Sequence, residues 1–143
     1  MGEQLKGGCL CGAVRFTAVP AKMEMGVCHC SMCRRWSGGA FMEVNCDSVE
    51  VEDKTDLATF ESSDWGIRQF CRKCGSTLFW MMKDGSHAGV AVGAFDDPEA
   101  FKFTTEIFVD EKPSNFDFAN PTRKLTGAQV MELFASQQGP QHG

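Results

Sequence analysis

Seven of the eight cysteines stand in three tight clusters, Cys9-Leu10-Cys11, Cys28-His29-Cys30-Ser31-Met32-Cys33 and Cys71-Arg72-Lys73-Cys74. A zinc site that serves a fold is closed by four protein ligands, whereas one that does chemistry keeps three and leaves a position for water or substrate. Seven thiolates therefore divide into one closed site and one open site. Cys71-x-x-Cys74 followed by Gly75 has the form of a zinc knuckle, and Cys9-x-Cys11 followed by Gly12 repeats it. Gly75 suits a turn that bends the backbone back toward the sulfurs, often with positive φ, and the Cys9 pair is its symmetric partner because both pairs precede a strand and end in glycine. Cys9, Cys11, Cys71 and Cys74 are assigned to the closed, structural site. Cys28, Cys30 and Cys33 remain together on one short segment as the candidate catalytic site. Three thiolates leave a zinc complex net negative, weaken it as a Lewis acid and favour a soft incoming ligand. A thiol that binds there is deprotonated by the metal, so the expected chemistry is that of thiols rather than amide hydrolysis.

Two other uses of these residues compete. Cys71-x-x-Cys74 could work as a redox dithiol, but such a pair belongs on a strand-to-helix turn. Here Phe70 precedes it and Leu78-Phe79-Trp80 follows in strand-like sequence. Alternatively both metals are structural, with His29, Cys46 or His87 completing the second tetrahedron. His29 stands between two ligands and points away from the ion if they point toward it, which gives it a place behind the ligands or on the surface. Cys46 lacks a partner spacing and reads as a small buried hydrophobe. His87 opens an apolar run and reads as a satisfied core residue, and Glu43 reads as a solvent-facing strand position before a general base. Met23, Met25, Met32, Met42, Met81 and Met82 read as core filling.

These ligands need turns held between strands, and the chain supplies strand-like runs. Residues 14–19, 40–44, 49–51, 58–61, 67–70, 77–81, 87–92 and 106–109 are apolar or alternating and are punctuated by glycine, aspartate and proline. Lys83-Asp84-Gly85-Ser86 has hairpin turn chemistry, and Asp96-Asp97-Pro98 marks a strand exit. One clear helix is expected near residues 127–136, opened by a Thr126-x-x-Gln129 capping box with Val130, Leu133 and Phe134 on one face. The expectation is a mainly β fold in a single domain over residues 1–136, with 137–143 as a frayed tail.

Hydrophobic residues make up 43% of the 143, enough for a genuine core, and 14 basic against 19 acidic side chains give a net charge of −5. An acidic balance gives no support for general nucleic-acid binding. Seven acids and one lysine lie between Asp47 and Asp64, while Arg68, Arg72 and Lys73 beside the second knuckle have no acid among them. Any anion-attracting surface is therefore local. The amino terminus has no apolar signal-peptide core, and no run of about 18 apolar residues occurs. A soluble, cytoplasmic protein without membrane or nucleic-acid partners is expected, in which clustered cysteines bind metal rather than form disulfides.

Gly8-Cys9-Leu10-Cys11-Gly12-Ala13-Val14, Cys28-His29-Cys30-Ser31-Met32-Cys33-Arg34-Arg35 with Ser37-Gly38, Arg68-Gln69-Phe70-Cys71-Arg72-Lys73-Cys74-Gly75 and Val92-Gly93-Ala94-Phe95-Asp96-Asp97-Pro98 resemble successive motifs of one family. It is the glutathione-dependent formaldehyde-activating enzyme family, which also includes centromere protein V. Residues 107–113 extend the resemblance, although Glu106 stands where many members have histidine. The resemblance implies a β-tent of small coiled antiparallel sheets stapled by zinc. It implies two zinc ions, one structural on Cys9, Cys11, Cys71 and Cys74 and one catalytic on Cys28, Cys30 and Cys33. It also implies a carbon–sulfur lyase activity, the addition of glutathione to formaldehyde to give S-(hydroxymethyl)glutathione.

On that reading a thiol, glutathione or a similar co-substrate, meets a small electrophile at the open site. Arg34 and Arg35 follow the last ligand and could bind its carboxylates, as could Arg68 and Arg72. Trp36, Phe41 and Phe95 could wall a pocket or belong to the core. A fold hosts several chemistries, so a lyase for a different thiol adduct remains open. So does a zinc-stabilised scaffold, for which a basic low-complexity extension would be expected that this acidic sequence does not show.

Overall fold

The computed structural model describes residues 2–138. Its strands are β1 (Leu5–Gly8), β2 (Arg15–Pro20), β3 (Glu24–Cys28), β4 (Phe41–Val51), β5 (Leu57–Glu61), β6 (Gly66–Cys71), β7 (Thr77–Met82), β8 (Ala88–Ala91), β9 (Lys102–Ile107) and β10 (Arg123–Leu125). Helix α1 (Ser31–Ser37) lies between β3 and β4, and helix α2 (Gly127–Gln138) follows β10. The fold is mainly β with a carboxyl-terminal helix. The described residues group into two compact units, one from the chain up to Met25 together with Met42–Lys102, the other from Gly26–Phe41 together with the chain from Phe103 on.

In the first unit these strand pairings are antiparallel: β1 with β2, β2 and β8 with β4, then β8 with β7, β7 with β6 and β6 with β5. Strict alternation explains β2, where Phe16, Ala18 and Pro20 are buried and their neighbours are not. Phe16, Phe79 and Phe95 meet edge to face, with centroids 5.1 and 5.6 Å apart, at the centre of a core that includes Val14, Val44, Leu78, Val90 and Phe101. The β7–β8 hairpin turns as expected, with Gly85 at φ 79° donating its N–H to the Met82 carbonyl.

In the second unit β10 lies parallel to β9, pairing Lys124 with Glu106 and Leu125 with Ile107, and β3 neighbours β9. The capping box at α2 forms in both directions: Gln129 N–H donates to Thr126 Oγ1 at 3.2 Å and Thr126 N–H to Gln129 Oε1 at 2.8 Å. Val130 is buried and Leu133 and Phe134 are half-buried, so the helix presents the expected face. The tail expected over 137–143 falls, from residue 139 on, outside the described residues.

Several local expectations change. The runs at 40–44 and 49–51 are parts of one strand, because β8 holds its first half and β2 its second across the polar stretch Asn45 to Ser48. β1, β3 and β10 carry glycine or charge and are strands through their partners rather than their composition. Of the methionines read as core, Met25 and Met81 pack on the core, but Met23, Met32 and Met42 are exposed.

Candidate metal centres

Two turns bring the first four cysteines together. Cys9 N–H donates to the Val14 carbonyl and Gly12 N–H to the Cys9 carbonyl, while Cys71 N–H donates to Ser76 and Gly75 N–H to Cys71. Gly12 and Gly75 both adopt left-handed backbone, with φ of 83° and 79°, which a glycine enters without steric cost. Leu10 N–H crosses from one knuckle to the Ser76 hydroxyl of the other at 3.0 Å. The four sulfurs lie within 4.8 Å of one another, with Cys9–Cys11 at 3.6 Å and Cys11–Cys71 at 3.7 Å. Zinc–sulfur bonds of about 2.3 Å in a tetrahedron put sulfurs about 3.8 Å apart, so the spacing fits a zinc-sized ion. The Ser76 hydroxyl, 3.2 Å from Cys74 Sγ, heads the hydrogen bonds that hold the Cys74 thiol down to about 5, favouring the ligating thiolate.

The second cluster sits where β3 gives way to α1. Cys30 is the N-cap residue, its Sγ accepting the Cys33 N–H at 3.3 Å and its carbonyl accepting the Arg34 N–H, which puts Cys33 one helical turn on. Gly38, left-handed at φ 82°, closes the helix on the Arg34 carbonyl. Cys28, Cys30 and Cys33 have their sulfurs within 4.8 Å of one another, and among the described residues no other His, Cys, Asp or Glu joins them. Hydrogen bonds from Cys28 and Cys33 hold the Cys30 thiol far below its ordinary range, while those same contacts and burial push Cys28 up. Three sulfurs this close suit a soft cation, which would replace their protons. Either cluster could hold a metal ion.

His29 is neither a ligand nor on the surface. It is 1% exposed, its ring 6.0 Å from Phe116 and from Phe118, and its Nε2 lies 2.9 Å from Glu106 Oε1. Glu106 is equally buried. Burial raises its carboxyl, but the Thr122 hydroxyl at 2.6 Å, His29 and Lys124 at 3.7 Å together hold it below the usual carboxylate range. An ionised carboxylate only accepts, so the shared hydrogen belongs to His29 Nε2. Alternation from Cys28 explains why His29 turns away from the sulfurs. The sequence held no local signal for Thr122 or for the segment around Phe116, which lacks a strand or helix period.

His29 also lines a cavity of about 210 Å³ with Arg34, Gly39, Ala40, Asn115 and Phe116, among others. The two candidate carboxylate-binding arginines separate here. Arg34 lines this cavity, and its Nε is buried without a hydrogen-bond partner among the described residues, whereas Arg35 is exposed on α1. Arg68 is buried in β6 rather than solvated, and Arg72 is exposed on the second knuckle. Trp36 and Phe41 pack on each other at 5.3 Å and Phe95 belongs to the core; the aromatic wall of the cavity is Phe116 instead. Cys46 is buried in β4, and burial pushes its thiol up to about 12, as suits an inert core residue. His87 precedes β8, half-buried, with Nε2 3.4 Å from Glu43 Oε1 rather than in the core.

Residues 4–111 match the family model described as glutathione-dependent formaldehyde-activating enzyme. An uncharacterized lyase of Schizosaccharomyces pombe is 30% identical over 131 residues, covering 90% of this chain and 96% of that protein. A Halomonas elongata protein, provisionally named as a glutathione-dependent formaldehyde-activating enzyme, is 33% identical over 85 residues, which span 52% of this chain and 54% of the relative. A crystal structure of a Rhodobacter sphaeroides protein shares the fold, with TM-score 0.58 and 22% identity over 70% of this chain and all of that one.

Proposed function

Since the chain belongs to the glutathione-dependent formaldehyde-activating enzyme family, we propose that it is a zinc-dependent carbon–sulfur lyase acting on a thiol, glutathione or similar, and a small electrophile such as formaldehyde. The observation that carries this reading is the set of three cysteine sulfurs within 4.8 Å, with no fourth ligand group joining them among the described residues. Its four-sulfur counterpart supports a structural role for the other cluster. When bound, zinc on three thiolates supplies an open position that takes an incoming thiol as thiolate at neutral pH.

The residues of the chain do the rest. Cys30 and Cys33, on one helical turn, and Cys28, at the end of β3, present their sulfurs from a rigid corner. The His29–Glu106 bond ties that corner to β9, as does the His29 N–H to the Ile107 carbonyl at 3.0 Å. Arg34 and Arg35 are the candidate contacts for the acid groups of the thiol, and the structure favours Arg34. In the addition the sulfur lone pair forms the C–S bond, the carbonyl π pair moves to oxygen, and that oxygen takes a proton equivalent to the one the thiol lost. The product is a hydroxymethyl thioether, and the reverse step is the lyase direction.

The test compares metal content of wild type and Cys30→Ala, titrates glutathione into cobalt-substituted protein, and follows adduct formation from formaldehyde by NMR. Wild type should hold about two metals, the variant should lose one and stay folded, glutathione should shift the cobalt bands and the hydroxymethyl adduct should form faster than without protein. Two saturated metals with no thiol response would overturn the reading in favour of a zinc-stabilised scaffold. A thiol response with no formaldehyde adduct would point to a lyase for another thiol adduct.

A further inference from the structure

The sheet of the first unit ends on β5, with no strand beyond it among the described residues. Such an edge offers a row of N–H and C=O groups to any extended segment that comes alongside, and proteins usually blunt it with proline, lysine or a bulge. β5 reads Leu57-Ala58-Thr59-Phe60-Glu61, contains neither residue and pairs with β6 without a register shift. One bond fixes which of its groups face outward. Arg72 N–H donates to the Asp56 carbonyl at 2.7 Å, and bonded and non-bonded pairs alternate along an antiparallel ladder. Ala58 and Phe60 therefore bond inward to Phe70 and Arg68, while the backbone of Thr59 and Glu61 and the Leu57 carbonyl face away from β6. The Leu57 N–H is already held by the Lys54 carbonyl at 3.1 Å.

Beside this edge one face of the sheet is aromatic. Residues opposite each other in a ladder share a face, so Phe60, Arg68 and Trp80 form one row across β5, β6 and β7, and Thr59, Gln69 and the core residue Phe79 form a row on the other side. Phe60 is 59% exposed although Arg68 next to it is buried. Trp65, 52% exposed, stands with its ring 5.8 Å from that of Trp80. Two large exposed aromatics flanking an open strand edge make a surface suited to a partner.

Charge says which partner. The segment is rich in acids, but Asp56 lies 3.8 Å from Lys73 and Glu61 3.4 Å from Lys83, so the two acids nearest the edge have cations of their own chain beside them. Lys54 before the strand and Asp64 after it are both exposed. An antiparallel second copy would bring the Lys54 end of each strand to the Asp64 end of the other, and opposite charges placed so favour that register.

We propose that β5 is a self-association edge, along which two copies of the chain join antiparallel about a two-fold axis at Thr59. The two Thr59 residues then exchange N–H and C=O, and each Glu61 N–H donates to the Leu57 carbonyl facing it. Phe60 of each copy lies over Ala58 of the other, a large side chain against a small one in a non-bonded pair, where side chains come closest. Centring the axis on Phe60 instead would set Asp64 against Asp56, and centring it on Ala58 would need the Leu57 N–H that Lys54 holds. The pairing is isologous and covers both copies' edges, so assembly along β5 stops at two.

The test is sedimentation equilibrium of zinc-loaded protein over a range of concentrations, with amide hydrogen exchange on the same samples. An interface of one short strand belongs to the weak, transient class, so the mass of two chains should emerge at high concentration and fall to that of one on dilution. The Thr59 and Glu61 amides should be protected in step with the dimer. Thr59→Pro removes an outward donor and none that β6 uses, a place where a strand tolerates proline; it should weaken association about tenfold or more with the circular dichroism unchanged. Lys54→Glu and Asp64→Lys should each weaken it a few-fold and together restore it, and this pair carries the test if Thr59→Pro does not fold. A protein that is monomeric at about 1 mM overturns the proposal. So does a dimer that survives Thr59→Pro, or one whose Thr59 and Glu61 amides exchange equally fast at every concentration.

Discussion

Between Cys28 and Cys30 a buried imidazole reaches a buried carboxylate 77 positions away, and this contact shows how much one residue can hide. Near the end of an extended strand consecutive side chains take opposite sides, so His29 turning away from the two flanking sulfurs is legible from its place alone. That Glu106 receives it is not, since nothing local to either residue predicts their meeting. Glu106 is held ionised by Thr122, His29 and Lys124 against its burial. Because its folded pKa lies below the unfolded value of about 4.3, its contribution is complete above that value and is lost as pH falls through the folded pKa. Glu106→Gln should therefore destabilise the protein at pH 7 by about 1–2 kcal/mol, with the difference from wild type shrinking below about pH 4. Urea unfolding of both proteins across that range measures it, and a pH-independent difference would refute an ionic role.

At the scale of elements the outcome followed how much each one depends on its own residues. β2 and α2 carry their own pattern, alternation in one and a capping box with an apolar face in the other, and both are readable as written. Helix α1 is seven residues long, too short for a period to declare itself, and it stands because Cys30 caps it and Gly38 ends it. β1, β3 and β10 are strands because neighbours supply their hydrogen bonds. The start of α2 carries a prediction against propensity. Alanine normally gains about 1 kcal/mol over glycine inside a helix, yet a Cβ at Gly127 would lie 2.8 Å from the Phe108 ring. Phe108, half-buried and left-handed at φ 57°, would have to shift its ring to admit the methyl. Gly127→Ala should lower stability by about 1–2 kcal/mol, read as a fall in thermal midpoint; an unchanged or raised midpoint would show that the ring gives way freely.

For the whole molecule the two cysteine clusters belong to different compact units, and they should respond differently when metal is withdrawn. The four-sulfur cluster joins Cys11 to Cys71 across 60 positions, so a metal bound there would close a long loop and its binding energy would be folding energy. The three-sulfur cluster lies within one turn of chain. Titrating zinc-loaded protein with chelator should remove a first metal equivalent with the far-UV circular dichroism retained and a second with cooperative unfolding. Unfolding on loss of the first equivalent would contradict that division. The sequence by itself determined the composition of both clusters, the mainly β character and the capped final helix, because ligand spacing, alternation and capping are written over a few neighbouring residues. Only the tertiary structure decided that Arg34 and Gly39, rather than Arg35, line a cavity, and that Glu106, itself held by Thr122, accepts from His29. Those facts arise where segments remote in sequence converge, and burial and hydrogen bonding are properties of that convergence rather than of any one segment.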